Sequence, residues 1–193
     1  MEDKKLAIFN SAKELFSTKG FKDTNVSNIT KEVGIAVGTF YNYYPSKEKL
    51  FMEIFLEENV KLKKSIMASI DLNDDPLKLL KKLIALNITG MNSNPILRQW
   101  YNKDVFGKLE QQYRDEKGID KVDFMYGSFV ELFKQWQTEG KVRDDLDIEL
   151  IMAFFTAIIN MDTHKEEIGV EHFPQIMEYM AEFVMNGLTD SRK

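Results

Sequence analysis

The residues with the most chemistry to offer crowd into one short stretch. Between positions 24 and 47 the chain carries hydroxyls at Thr24, Ser27, Thr39, Tyr41 and Tyr43 and an ammonium at Lys47. Short polar side chains and a lysine are the donors that phosphate oxygens accept from. Val37, Gly38 and Asn42 lie among them. Asn can pair bidentately with adenine, and Val can meet a thymine methyl. Gly lets another surface approach the backbone closely. The set as a whole therefore offers donors for phosphates and three residues for base edges. The plainer reading of any one of these positions is ordinary surface, and for Tyr41 and Tyr43 it is packing.

Such residues must be held by short, rigid elements. Val26, Ile29 and Val33 recur at helical spacing and share one face, which predicts a helix from about Asn25 to Val33. Thr24 is placed to cap it, and Gly34 to close it in the left-handed conformation. After a Gly34-Ile35-Ala36 turn, a second helix begins near Val37 with Phe40 and Tyr44 facing inward. Pro45 stops that helix. Ser46 caps the next one, a long helix to about Ile70 whose Leu50, Phe51, Ile54 and Phe55 seal a small core. Upstream, Leu6 to Thr18 reads as a helix with Leu6, Phe9, Ala12, Leu15 and Phe16 on one side and Lys4, Lys5 and Lys13 outside. Gly20 ends it, and Phe21 folds back. Two short helices on a tight turn form a helix-turn-helix, whose second helix can lie in the major groove.

Here the chain resembles the N-terminal DNA-binding domain of the tetracycline-repressor (TetR) family. The resemblance rests on Lys19-Gly20-Phe21, Thr24, Ile29, Gly34, Gly38-Thr39-Phe40-Tyr41 and Pro45-Ser46-Lys47-Glu48-Lys49-Leu50, and it covers about the first quarter of the chain. Two positions depart from the family pattern: Thr30 stands where alanine is usual, and Ala36 where serine is common. The resemblance implies that Thr39, Tyr41, Tyr43 and Lys47 touch the DNA backbone. It also implies a helical C-terminal domain with a ligand cavity, and a homodimer whose last two helices join a partner's in a four-helix bundle.

The rest of the sequence reads as helices throughout. They are expected at Leu77 to about Thr89, with a loop at 90–94, then at Ile96 to about Tyr113, Ile119 to Glu139, Ile148 to about Thr163 and Phe173 to Leu188. Val122, Met125, Tyr126, Phe129, Phe133 and Trp136 mark the buried side of the 119–139 helix, and 164–171 reads as a loop. The fold class is therefore all-α, with a three-helix, homeodomain-like head at 1–50 and a helical effector-binding and dimerisation domain at 51–193. One long helix would link the two cores. Trp100, Tyr101, Phe106, Met125, Phe129, Phe133 and Phe154 supply aromatic and soft apolar material for a small-molecule pocket; the plainer reading is core.

Composition limits the alternatives. The net charge is −5, but residues 1–52 carry eight lysines against six acids, so a faintly basic head sits on an acidic body. There is no cysteine among the 193 residues, which excludes thiolate metal sites and fits a reducing cytoplasm. No secretory signal or apolar run of membrane length is visible. There is no Glu-x-x-His pair for a di-metal bundle and no phosphate-cradling glycine loop. His164 and His172, with Glu166, Glu167 and Glu171, read as a solvated loop, and a metal site there is the sharper alternative. The reading is a regulator that binds palindromic double-stranded DNA as a homodimer through 148–163 and 173–188, responds to a small apolar or amphipathic effector, and uses no cofactor, membrane or catalysis. Alternatives are a regulator without a small-molecule effector, and a helical lipid carrier or enzyme with a vestigial head.

Overall fold

Apolar residues recur at helical spacing through nearly the whole chain, and the computed structural model answers with helices. It describes residues 2–116, 123–173 and 175–189, and every regular element among them is helical. In order these are α1 (Glu2–Lys19), α2 (Val26–Val33), α3 (Val37–Phe40), α4 (Lys47–Ser69), α5 (Pro76–Ser93), a 3-10 turn (Leu97–Tyr101), α6 (Lys103–Asp115), α7 (Asp123–Thr138), α8 (Ile148–Asn160), α9 (Lys165–Ile168) and α10 (Gln175–Thr189).

Contacts divide the chain into two units, Met1–Leu62 with Gly90–Lys121, and Lys63–Thr89 with Val122–Lys193. The first is built on Ile8, Ala12 and Phe16 of α1, Ile29 of α2, Phe40 of α3, and Leu50, Phe51, Ile54 and Phe55 of α4. Leu97, Val105 and Leu109 complete the same core from later in the chain. Burying a side chain of this size contributes roughly 1.5–3 kcal/mol. Phe16 and Phe21 meet the Phe51 ring at 5.0 and 4.9 Å, both edge-on. An ion-pair network closes one side of the unit. Lys13 donates to Glu58 at 2.6 Å and Glu57 at 3.3 Å, and Asn94 Nδ2 donates to Glu58 at 2.8 Å. Burial opposes the charge on Glu58, but the hydrogen bonds from Lys13, Asn94 and Lys61 hold its carboxyl below the usual range.

The second unit packs α5, α7, α8 and α10 around Leu79, Ile84, Leu132, Phe133, Trp136, Ile151, Met152, Phe155, Ile158, Met177, Ala181, Met185 and Leu188. Phe133 stacks on Phe155 at 5.3 Å and meets Trp136 edge-on at 5.1 Å. Gln137 Nε2 donates to the carbonyls of Arg143 and Leu146, which pins the connection into α8.

Several boundaries differ from expectation. α1 starts at Glu2, one turn before Leu6. α5 runs straight through the expected 90–94 loop to Ser93. A Cβ on Gly90 would collide with the Leu62 side chain, so this glycine serves helix-to-helix approach and not a turn. The expected Ile96–Tyr113 helix breaks at Asn102, which is extended. Asn94 Oδ1 accepts from the backbone N–H groups of Ile96 and Leu97, which starts a tight turn instead of an α-helix. Residues 119–122 of the expected 119–139 helix lie outside the described residues. Tyr126, expected on its buried side, is exposed. The 164–171 loop is a run of short helical turns.

Candidate nucleic-acid interface

The reading motif is assembled from local rules. Asn25, not Thr24, caps α2. Its side chain accepts from Asn28 N–H at 2.8 Å, and Asn28 Oδ1 accepts from Asn25 N–H at 3.2 Å, a reciprocal capping box. Gly34 takes φ 71°, and its N–H and that of Ile35 return to the last carbonyls of α2. α3 then starts at Val37 with no side-chain cap from Ala36, as the missing hydroxyl there implies. Thr30 is buried, and its hydroxyl donates to the Ser27 carbonyl at 3.2 Å, so its polar atom is satisfied without disturbing α2. α3 is only one turn long, but Tyr44 N–H still donates to the Phe40 carbonyl. That bond carries the helical path into Tyr44, which is buried beside Phe40 with rings 5.9 Å apart. Ser46 Oγ accepts from Lys49 N–H and starts α4.

The nine residues singled out for nucleic-acid contact separate into three groups. Ser27, Val37, Gly38, Tyr41 and Asn42 are exposed, with Val37 at 44% and Tyr41 at 54%. A Cβ on Gly38 would meet nothing within 4 Å. Thr39 and Tyr43 are half-buried, and Tyr43 packs on the core of the first unit. Thr24 and Lys47 turn inward, contrary to expectation. Thr24 is fully buried, and its hydroxyl donates to the carbonyls of Gly20 at 2.8 Å and Leu15 at 3.3 Å. Lys47 Nζ donates to the carbonyls of Phe21 at 2.8 Å and Thr24 at 2.7 Å and sits 4.2 Å over the Phe21 ring. Burial pushes this ammonium below the ordinary lysine range. Carbonyls exposed by the turn after α1 have captured both donors, and one N–H of Lys47 remains. Lys5 and Lys13 also pair internally, with Glu53 at 3.4 Å for Lys5 and with Glu57 and Glu58 for Lys13.

The residues expected to line an effector pocket are dispersed. Trp100 stacks on Phe55 at 5.4 Å as a wall of the first core, and Tyr101 packs against that core as well. In the second unit Phe133 is buried core, Phe129 packs against it and Met125 is half-buried. Phe154 is 40% exposed and faces outward on α8. The side chain of Phe106 lies outside the described residues. A depression of about 360 Å³ in the first unit is of mixed character, lined by Phe21, Lys22, Lys47, Glu48, Val105 and Lys108. His164 and His172 are exposed beside Glu167 and Glu171 at 3.3 and 3.5 Å, and no group of three metal-ligating side chains occurs among the described residues. A feature absent from the sequence reading is Lys63, which pairs with Asn87 inside the second unit. The signal for it is slight: a lysine three residues before Ile66 on the apolar side of α4.

Among the described residues no helix is long and apolar enough to cross a membrane. The family model "Bacterial regulatory proteins, tetR family" matches residues 8–54, which holds α1 to α3 and the start of α4. The HTH-type transcriptional regulator YfiR of Bacillus subtilis (strain 168) is 30% identical over 142 residues, 64% of this chain and 69% of that protein. YdgC, an HTH-type transcriptional regulator of the same organism, is 25% identical over 194 residues, 98% of this chain and 85% of that protein. The solved structure of Thermus thermophilus FadR, a TetR family transcriptional repressor in complex with lauroyl-CoA, shares the fold. Its TM-score is 0.61 at 19% identity, over 98% of this chain and 95% of that one. The matched residues hold α2, the glycine turn and α3, and the chain belongs to the tetR family: it is a DNA-binding transcriptional regulator, not an enzyme.

Proposed function

We propose that this regulator is a cytoplasmic homodimeric repressor that a small apolar or amphipathic molecule releases from a palindromic operator. The observation that carries the proposal is a pair of apolar stripes that nothing covers within the second unit. On α8 the stripe is Leu150, Ala153, Phe154 and Ala157. On α10 it is Met180 and Phe183, with Tyr179 beside them. Positions three and four apart share a helix face, so each stripe is continuous. A face of this kind on two adjacent helices suits a two-fold contact with the same face of a second copy.

Two reading heads on a two-fold axis would address half-sites about 34–36 Å apart, or a multiple of it. In this proposal Val37, Gly38 and Asn42 face bases, while Ser27, Thr39, Tyr41 and Tyr43 donate to phosphates. Lys47 supports the turn and has one N–H left to contribute. Residues 1–50 form the reader and 51–193 carry effector response and pairing, with α4 transmitting between them. Support for an amphipathic effector is the lauroyl-CoA bound by the FadR of the same fold.

Mobility shift on the DNA upstream of the gene, at stated salt, tests the reader. Tyr41→Ala and Asn42→Ala should abolish the shift while leaving the helical signal intact, and unchanged binding in both would sink the assignment. The second reading, a regulator with no small-molecule effector, is favoured by the dispersal of the seven expected pocket residues. Titration with apolar fluorescent dyes separates the two, since the second reading requires that none binds saturably.

A further inference from the structure

Lys63 on α4 and Asn87 on α5 both belong to the second unit. The Lys63 ammonium donates to Asn87 Oδ1. Among the described residues no carboxylate pairs with it. Burial pushes it down to about 8, because nothing negative compensates for the water it has lost. Charges withdrawn from water are as a rule paired, and this half-buried one meets only a neutral amide.

The arrangement is rich in donors. With one N–H of the ammonium engaged, two remain. The Asn87 oxygen is occupied, so its amide nitrogen adds two more donors. A cluster of donors around a half-buried positive charge suits a group that is negative and only accepts, such as a carboxylate. Apolar side chains lie one turn away on each helix. Ile66, one turn along α4 from Lys63, is buried, and so is Ile84, one turn before Asn87 on α5. Leu83, on that same face, packs against the core. A charged head at Lys63 and Asn87 would therefore lead into a hydrocarbon environment.

We propose that Lys63 and Asn87 are the recognition point for the head of the effector, and that the effector is an amphipathic carboxylate. This rests on the effector reading above and narrows its chemistry. The test uses the full chain near neutral pH, with straight-chain carboxylates from octanoate to palmitate and the matching alcohols as probes. Thermal shift and titration are measured on the wild type, Lys63→Met and Lys63→Arg. Methionine keeps the apolar stem and removes the charge, so the variant is expected to fold.

The expected result is that the wild type prefers acid over alcohol by about tenfold or more, as a charged hydrogen bond warrants. Lys63→Met should lose that preference without losing its affinity for the alcohol, and Lys63→Arg should keep part of it. A wild type that binds acid and alcohol alike, or a Lys63→Met variant that retains the preference, overturns the assignment while leaving an apolar effector standing. Absence of binding by every probe overturns both.

Discussion

Gly38 occupies open space at the start of α3, where a methyl group would touch nothing in the chain. Alanine there should stabilise the head by up to about 1 kcal/mol through helix propensity. If the glycine is there to let DNA approach, Gly38→Ala will bind its operator less tightly despite the higher unfolding midpoint. Both are measurable on one preparation by urea unfolding and mobility shift. At Lys63 the prediction is one of pH. Its folded value, about 8, lies below the unfolded lysine value of about 10.4. Between those two the unfolded chain holds a proton that the folded chain has released, so stability rises with pH across that window. Below it the cost of the buried charge is constant and amounts to about 3 kcal/mol at most. Lys63→Met should therefore be the more stable protein near neutral pH and should lack the rise, as urea midpoints from about pH 7 to about pH 10 would show. The inward bonds of Lys47 and Thr24 are not legible at this scale. Their types suit phosphate, but the free carbonyls of a turn more than twenty residues away from Lys47 cannot be seen in a local pattern.

At the scale of elements, α4 and α5 meet at Leu62 and Gly90, where a Cβ would fall on the Leu62 side chain. Gly90→Ala gains about 1 kcal/mol of helix propensity but forces the Leu62 side chain to move aside, so the urea midpoint should rise by less than that propensity alone would give. The same glycine explains why a loop is the wrong expectation for 90–94: glycine in a polar run reads as a turn, and only the neighbouring helix reveals it as a close approach. The clamp from α1 to α4 makes a second prediction. The Glu58 carboxyl is held below its ordinary range, so its contribution is present above about pH 4.5 and disappears as pH falls through the folded value. Acid unfolding of Lys13→Met should accordingly show a shallower loss of stability over that window than the wild type. Where patterns are strictly local, as in Val26, Ile29, Val33 and the glycine after them, α2 and its turn are legible, though the cap falls one residue later than expected, on Asn25. The 3-10 turn at Leu97–Tyr101 is not, because it starts where Asn94 captures two backbone N–H groups.

For the whole molecule, the all-α class follows from periodicity alone, and the reading head follows from joint motif spacing. Which apolar helices face a core and which face outward does not, since α8 is apolar most of the way round and Phe154 looks like its buried neighbours on paper. On α10, Phe183 is 65% exposed. Phe183→Asp should leave the core of Met177, Ala181, Met185 and Leu188 intact and shift the protein to monomer in sedimentation. Operator binding should weaken with it, because paired heads gain from effective concentration. A Phe183→Asp protein that stays dimeric would place the pairing surface elsewhere.

Leu97, Val105 and Leu109 reach the core that Phe16 and Phe51 share from well down the chain. The consequence concerns modularity. A chimera joined after residue 50 would transplant the reader without its own lining, and Phe51 and Phe55 would have to find foreign partners. A graft that keeps the reader whole needs two separate stretches, Met1–Leu62 and the segment from Gly90 through α6. Exchange of heads between relatives of this chain is thus a matter of matching α6 as much as matching the motif that touches DNA.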